Sequence, residues 1–148
     1  MSLSGWNNNI ITYSPLETEA VAEQFAKILS AGALVLLKGD LGAGKTTFVK
    51  GLAKGLKITS ECIVQSPTFT YLHIYEGEQG PLYHFDLYRM TQCEEFLSQG
   101  FDDFLFGEAI CCVEWPERIE KLLTPPYWEV QIVHKDIESR EFRYRYYG

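Results

Sequence analysis

An apolar run, a glycine-rich loop and an amphipathic segment follow one another early in the chain. Residues 33–37 read ALVLL, residues 39–46 read GDLGAGKT, and residues 46–56 place apolar side chains near one helical face. The middle segment matches the phosphate-binding pattern G-x-x-x-x-G-K-[ST] at every position, which defines a P-loop. A short run without polar residues is typical of a strand buried on both faces of a parallel sheet. The order of strand, loop and helix therefore predicts an α/β fold that binds a nucleoside triphosphate.

The loop sequence also predicts how the phosphates are held. Glycines let main-chain N–H groups turn inward and form a nest for an anion. The helix that begins near Lys45 directs the positive end of its dipole at the same anion. In this pattern the lysine, here Lys45, reaches the β- and γ-phosphates, and the hydroxyl of Thr46 is a ligand of Mg²⁺.

Size and charge limit the partners that the chain can bind. A length of 148 residues predicts a single domain, spanning residues 1–148, with a substantial core. The net charge of −7 argues against a domain that binds nucleic acid unaided, because phosphate contacts need clustered Lys and Arg. If RNA is involved, we expect a partner protein to hold it.

Several features predict a cytoplasmic protein. No apolar run approaches the roughly 20 residues that cross a bilayer, and the polar residues 1–9 show no secretory signal. The four cysteines, Cys62, Cys93, Cys111 and Cys112, lack C-x-x-C spacing, so we interpret them as reduced thiols. Cys111 and Cys112 should point to opposite faces of a strand.

The remaining sequence divides into predicted helices and strands. Ser14-Pro15-Leu16-Glu17 is a capping box that begins a helix, which we expect to end near Gly32. The other predicted elements are strands at 68–75 and 82–88, one or two short helices at 93–106 broken at Gly100, a strand at 109–113, a helix at 117–123, and a final hairpin of strands 128–134 and 140–147. The aromatic-rich stretch from 69 to 106 fits either core or a docking face.

Two acidic residues lie in or directly after predicted strands, at positions that suit a catalytic role. Glu114 ends the apolar strand, and ligands of open α/β sheets bind at the carboxyl ends of strands. It fits a Mg²⁺ ligand, direct or through water, and the alternative is a solvated charge. Asp86 lies inside an aromatic strand, where an unpaired carboxylate is costly. It fits a residue that orients the attacking water or completes the metal shell, or a structural ion pair with Arg89.

Three further features leave open more than one role. The segment Ser66-Pro67-Thr68 fits a switch segment, in which Thr68 senses the γ-phosphate, or a plain turn before a strand. Trp115 either stacks on a base or packs against the P-loop helix. His73, His84 and His134 lack metal-ligand spacing, so each is predicted to be a surface or hydrogen-bonded histidine.

Taken together, the motifs resemble those of one family. The chain resembles the bacterial TsaE family, small P-loop ATPases of tRNA threonylcarbamoyladenosine biosynthesis, in four motifs that occur in the order found there. The motifs are GDLGAGKTT at 39–47, SPTF at 66–69, HFDLYR at 84–89 and VEWPER at 113–118. The resemblance extends from about residue 14 to residue 134. The Cys111–Cys112 pair and the Arg- and Tyr-rich end at 140–147 match no motif of the family.

The resemblance implies a fold, a reaction and partners. The fold is an open, mainly parallel P-loop sheet flanked by helices, with added antiparallel strands. The reaction is Mg²⁺-dependent ATP hydrolysis that supports the TsaD–TsaB transferase complex, which modifies the adenosine next to the anticodon of ANN-decoding tRNAs. By position, the resemblance implies that residues 42–47 hold the phosphates and that Thr46 and Glu114 hold the metal. It also implies that Asp86 is important for hydrolysis, that Thr68 belongs to the switch segment and that Thr18 lies near the base. The residues that the resemblance assigns to nucleotide binding are Gly42, Ala43, Gly44, Lys45, Thr46, Thr47 and Thr18.

Other P-loop functions remain as alternatives. Small-molecule kinases usually carry an arginine-rich lid, and no Arg cluster appears between the predicted helices. A GTPase is disfavoured because the guanine signature N-K-x-D is absent from the sequence. A binding module with an inactive P-loop is unnecessary, since Lys45, Thr46 and Glu114 are intact.

Overall fold

The described residues form a mixed sheet of seven strands in a computed structural model. The structure describes residues 7–40, 42–59 and 64–148, so Leu41 of the P-loop and the predicted thiol of Cys62 lie outside the described residues. The strands are β1 (Asn7–Thr12), β2 (Leu34–Lys38), β3 (Leu72–Tyr75), β4 (Leu82–Asp86), β5 (Ile110–Glu114), β6 (Tyr127–His134) and β7 (Arg140–Tyr147). The helices are α1 (Pro15–Ala26), α2 (Lys45–Gly55) and α3 (Cys93–Ser98), with 3₁₀ segments at Phe101–Phe104 and Pro116–Leu122.

The centre of the sheet is parallel, as predicted. The strand order is β1-β7-β6-β2-β5-β4-β3, and β6, β2, β5 and β4 run in the same direction. Strand β2 is hydrogen-bonded to β5 on one edge and to β6 on the other, and apolar clusters cover both faces of the sheet, so its residues 34–37 are buried. This burial explains the uninterrupted apolar sequence. It also places the P-loop at the carboxyl edge of the central strand.

Antiparallel strands extend both sides of this centre. Strand β3 pairs with β4, and β7 pairs with β6 in the predicted terminal hairpin. Strand β1 adds to the outer side of β7 and was not predicted. Its asparagine-rich sequence has low strand propensity, and its pairing depends on a strand more than a hundred positions away.

The first helix begins as predicted but ends earlier. The Ser14 hydroxyl accepts a hydrogen bond from the Glu17 amide at 3.2 Å, and Pro15 occupies the first turn. The helix ends at Ala26, so the expectation of an end near Gly32 was wrong; residues 27–32 form two turns, at 27–28 and 31–32, with irregular structure between them. Helix α1 packs closely on α2, where a Cβ added to Gly51 would lie 2.3 Å from the Glu19 carbonyl oxygen.

Apolar clusters lie on the two faces of the sheet. One joins α1 and α2 to the sheet and includes Phe48, Val49 and Leu52, the predicted buried face of α2. The other joins α3 and the 3₁₀ segments to the sheet, and it contains Phe85 and most of the buried aromatic residues of the stretch from 69 to 106. Cys112 belongs to the first cluster and Cys111 to the second, which confirms their opposite orientation.

The segment after β5 differs from its prediction. A helix was expected at 117–123, and the structure has a 3₁₀ segment at Pro116–Leu122 that is kinked at Ile119. Trp115 precedes this segment with a positive φ of 59°. This turn places the Trp115 ring next to the P-loop, with its centroid 3.9 Å from the Lys45 Nζ.

Candidate functional site

The P-loop connects the end of β2 to the first turn of α2. Gly44 adopts a φ of 104°, a conformation that residues with a Cβ rarely adopt. Among the residues that the structure describes, no side chain caps the amino end of α2, so the N–H groups of its first turn are available to a ligand. The geometry is that of an anion-binding helix terminus.

Lys45 is buried in this loop and is held in place by two neighbours. Its Nζ donates a hydrogen bond to the Gly39 carbonyl oxygen at 2.6 Å and lies 3.9 Å from the centroid of the Trp115 ring. Burial lowers the pKa of the Lys45 ammonium, and the negative charges of Glu114 and Asp86 partly offset that effect. A poorly hydrated ammonium in a cleft favours an anionic ligand. Trp115 thus contacts the first residue of the P-loop helix and also lines the cleft described below, so its stacking on a base stays a prediction.

The two predicted carboxylates lie side by side at the end of the sheet. Asp86 ends β4 and Glu114 ends β5, and the two residues are paired in the parallel register. Both are buried, with 4% and 2% of their surfaces exposed. The alternative of Glu114 as a solvated charge was therefore wrong.

Glu114 is fixed by a buried histidine. The Nε2 of His84 donates to the Oε2 of Glu114 at 2.6 Å. The Nδ1 of His84 accepts a hydrogen bond from the Tyr75 hydroxyl at 3.5 Å, and the oxygen of that hydroxyl accepts one from the Gln65 N–H at 3.3 Å. Hydrogen bonds thus connect Glu114 to the segment that leads into Ser66-Pro67-Thr68.

Asp86 is bonded to that segment directly. Its Oδ2 accepts hydrogen bonds from the hydroxyls of Ser66 and Thr68, the latter at 3.1 Å, and its Oδ1 accepts from the Tyr88 amide at 3.0 Å. No ion pair within the described ranges joins Asp86 to Arg89, so the structural-pair alternative was wrong. Arg89 instead lies over the exposed ring of Phe69, 4.4 Å from its centroid.

These elements enclose one cleft of about 380 Å³. This volume lies within the range of roughly 300–1,000 Å³ typical of small-molecule sites. The residues that line it are Gly42, Gly44, Lys45, Thr46, Thr47, Ser66, Thr68, Asp86, Tyr88, Glu114, Trp115 and Arg140. The fold thus brings together most of the residues proposed from the sequence.

Two of the proposed nucleotide-binding residues lie outside the lining of this cleft. Ala43 is buried, with 1% of its surface exposed. Thr18 is also buried, and its hydroxyl shares a hydrogen bond of 2.9 Å with the Thr12 hydroxyl. The placement of Thr18 near the base stays a prediction.

Sequence reasoning did not assign a role in the site to His84 or Arg140. The alternation in β4 did place His84 on the same face as Asp86, which was the available signal. No local signal identified Arg140, whose Nε donates to the Ala43 carbonyl oxygen at 2.8 Å from a distant strand.

The donor set fits Mg²⁺ that is shared with a phosphate ligand. Thr46 and Glu114 both line the cleft and carry a hydroxyl and a carboxylate, hard oxygen donors that suit this ion. Residues 7–40, 42–59 and 64–148 contain no group of three or more His, Cys, Asp or Glu side chains that could hold a metal ion. Mg²⁺ usually takes one or two protein ligands, with water and phosphate completing its shell.

The structure also bears on membrane association. Within the part of the chain that it describes, no helix combines the length and the apolar character that a bilayer-crossing helix needs.

Comparisons with known proteins identify the family. The family model described as "Threonylcarbamoyl adenosine biosynthesis protein TsaE" matches residues 12–142. The chain is 42% identical to the tRNA threonylcarbamoyladenosine biosynthesis protein TsaE of Bacillus subtilis, over 93% of this chain and 84% of that protein. It is 44% identical to the protein of the same name from Aquifex aeolicus, over 74% of this chain and 77% of that protein.

A solved structure supports the same conclusion. The crystal structure of YdiB from Bacillus subtilis superimposes with a TM-score of 0.79 at 36% identity, covering 99% of this chain and 90% of that one. The nucleotide-binding P-loop fold predicted from residues 33–56 is therefore confirmed. With the family match over residues 12–142, the chain belongs to the TsaE family of threonylcarbamoyl adenosine biosynthesis proteins.

Proposed function

We propose that this protein is a Mg²⁺-dependent ATPase that supports threonylcarbamoyl modification of the adenosine next to the anticodon in ANN-decoding tRNAs. The observation that carries the proposal is the meeting of Lys45, Thr46, Asp86 and Glu114 in one cleft at the carboxyl edge of the sheet. Family membership supplies the pathway. The partners that we propose are TsaD and TsaB, with tRNA bound only indirectly.

The P-loop residues bind and orient the triphosphate. The free N–H groups at the start of α2 donate to phosphate oxygens, and Lys45 exchanges its bond to the Gly39 carbonyl oxygen for bonds to the β- and γ-phosphates. This exchange satisfies a buried ammonium with a negatively charged ligand. Gly42, Gly44 and Thr47 complete the wall that faces the phosphates.

The residues that would hold Mg²⁺ are Thr46 and Glu114. When bound, the ion neutralises charge on the β- and γ-phosphates and stabilises the leaving oxygen. His84 keeps the Glu114 carboxylate oriented toward the cleft through its hydrogen bond. Without a cation, Asp86 and Glu114 would repel the triphosphate, which accounts for the expected dependence on the metal.

Asp86 is proposed to orient the attacking water. The water oxygen forms a bond to the γ-phosphorus while the bond from that phosphorus to the β–γ bridging oxygen breaks. The electron pair of the broken bond stays on the ADP oxygen, and the water gives up a proton to solvent, so the products are ADP, phosphate and a proton. Asp86 also holds Ser66 and Thr68, so this segment can respond to the γ-phosphate through the same carboxylate. Phosphoryl transfer of this kind relies on positioning and electrostatics.

The negative net charge of the protein favours a protein partner over direct binding to tRNA. A net charge of −7 disfavours direct binding to the tRNA backbone. We therefore expect the chain to bind the transferase rather than the tRNA, and to act in the cytoplasm, where tRNA is modified. Its hydrolysis is expected to be weak without the partners.

Reconstitution tests the proposal. Purified TsaD, TsaB, tRNA and an activated threonylcarbamoyl donor would be assayed for modified adenosine and released phosphate, with wild-type chain, with Lys45→Ala, and without the chain. We expect repeated turnover only with the wild type and ATP. Full modification over many turnovers without the chain would contradict the role, and phosphate transfer from ATP to a nucleoside or metabolite would favour the kinase alternative.

A further inference from the structure

Arg140 reaches the P-loop from the opposite end of the sequence. It begins β7, and its side chain lies on the sheet face that is covered by α1 and α2, together with Phe142. Its Nε donates to the Ala43 carbonyl oxygen at 2.8 Å, and its Nη2 donates to the Gly42 carbonyl oxygen at 3.3 Å. One guanidinium therefore bonds two consecutive carbonyls of the P-loop.

The same guanidinium is held by the turn between β6 and β7. Its Nη1 donates to the carbonyl oxygens of Asp136 and Ile137 at 3.3 Å each and of Ser139 at 3.1 Å. The planar, rigid fork of arginine allows one side chain to reach both sets of acceptors. The hairpin turn thus serves as the support from which Arg140 holds the loop.

Because of peptide geometry, the bond from Arg140 to the Ala43 carbonyl oxygen also determines the direction of a main-chain N–H group of the P-loop. In a trans peptide the C=O and N–H groups point in opposite directions, so fixing the Ala43 carbonyl also fixes the direction of the Gly44 N–H. The Ala43 N–H is already bonded to the Asp40 carbonyl at 3.0 Å, and the Gly44 carbonyl accepts the Phe48 N–H of α2 at 2.9 Å. Arg140 supplies the constraint on the peptide that lies between these two bonds.

Gly44 makes such a constraint necessary. Its φ of 104° lies where glycine, lacking a Cβ, moves freely among several conformations. A loop that must be ordered by its ligand loses affinity to the entropy of ordering, whereas a loop held in advance does not. The charge-assisted bonds of Arg140 are strong enough to restrict this freedom.

We propose that Arg140 is a positioning residue that holds the P-loop in its phosphate-binding conformation before the nucleotide arrives. The proposal rests on the nucleotide binding proposed above for the same cleft. It predicts that the shape of the guanidinium matters, and that its charge alone is insufficient. It also predicts equal effects on ADP and ATP, because the loop conformation is required for both.

The test uses Arg140→Lys and Arg140→Gln, with Arg143→Gln as the matched control. Arg143 carries the same charge on the same strand but on the opposite face, where its Nε lies 3.7 Å from Glu141. Hydrogen exchange of the P-loop amides in the nucleotide-free protein is measured first, and ADP and ATP affinities by calorimetry second. We expect both Arg140 variants to exchange about 10-fold faster at the hydrogen-bonded amides of Ala43 and Phe48, and to bind both nucleotides about 10-fold more weakly, with Arg143→Gln unchanged.

Several results would overturn the proposal. Unchanged exchange in both Arg140 variants would show that the loop is held by other contacts. Full recovery by Arg140→Lys would mean that charge alone suffices, and a loss confined to ATP would indicate direct contact with the γ-phosphate. If Arg140→Gln fails to fold, Arg140→Lys still decides the matter. Failure of the wild type to bind any nucleotide would contradict the proposed ATPase function, while the exchange measurement would still report on the loop.

Discussion

The two walls of the cleft are built from different parts of the polypeptide. The phosphate wall, residues 42–47, presents mainly main-chain groups, shaped by the positive φ angles of Gly42 and Gly44. The acidic wall, Asp86 and Glu114, presents side chains that are buried and fixed by hydrogen bonds from hydroxyl and imidazole groups. The first wall should therefore be sensitive to backbone conformation, and the second to loss of charge and of hydrogen-bond partners.

The largest expected loss of hydrolysis comes from a substitution in the acidic wall. Glu114→Gln removes the charge but keeps an oxygen that can accept the His84 Nε2–H. We expect Mg²⁺-dependent hydrolysis to fall by about 100-fold or more, because the metal contributes several kcal/mol of charge stabilisation. Phosphate release and thermal unfolding would be measured together. Hydrolysis equal to that of the wild type would contradict the metal-ligand role.

The phosphate wall is tested next by Lys45→Ala. A hydrogen bond to a charged group contributes about 1.5–3 kcal/mol, so ADP and ATP affinities should fall roughly 10- to 150-fold. Lys54→Ala is the control, since Lys54 is exposed on the same helix and pairs with Glu19 at 2.9 Å. Similar calorimetric affinities for the two variants would refute the assignment of Lys45.

The link between the acidic wall and the Ser66–Thr68 segment is tested by Asp86→Asn. The amide loses the charge-assisted bonds to two hydroxyls, and we expect hydrolysis to fall about 10-fold or more. ADP affinity should change little, because Asp86 is assigned to the water and the γ-phosphate. Asp102→Asn, outside the cleft, is the control. An equal loss of ADP affinity and hydrolysis would argue for a purely structural Asp86.

The dependence of the phosphate wall on backbone conformation is tested by Gly44→Ala. An added Cβ meets only ordinary contacts with Arg140, at 3.6 Å or more, so the expected cost comes from the φ of 104°. A left-handed conformation costs about 1–2 kcal/mol for residues with a Cβ, which corresponds to roughly 5- to 30-fold in nucleotide affinity. Gly107→Ala, which has open space and no positive φ, should leave the affinity unchanged.

The smallest expected effect is on the reactivity of the two cysteines of β5, the strand that ends at Glu114 of the acidic wall. Burial raises the pKa of the Cys111 and Cys112 thiols, and the nearby Glu114 charge adds to the effect at Cys112. Both thiols should therefore resist alkylation at pH 8 in the native protein and react after unfolding. Peptide mass spectrometry measures the modification, and rapid native labelling of Cys112 would show that β5 opens locally.

The two walls also differ in how far the sequence predicted them. The P-loop, the buried central strand and the helix after the loop are local in sequence, and their spacing predicted their structure. Glu114 was placed correctly at the carboxyl end of a buried strand, where ligands of such sheets bind. Asp86 was expected inside a strand at 82–88, and only the structure, in which β4 ends at Asp86, placed it beside Glu114. Strand β1 and the early end of α1 were missed, since neither depends on a strong local pattern.

The sequence by itself determined that this chain has a P-loop between a buried strand and a helix, and that it carries the motifs of the TsaE family. Only the tertiary structure placed His84 on Glu114, 30 positions away, and Arg140 on the carbonyl of Ala43, 97 positions away. The physical reason is that a phosphate-binding loop is specified by the conformations of adjacent residues. The partners of a buried carboxylate or of a loop carbonyl are specified by strand order and register, which no local pattern contains.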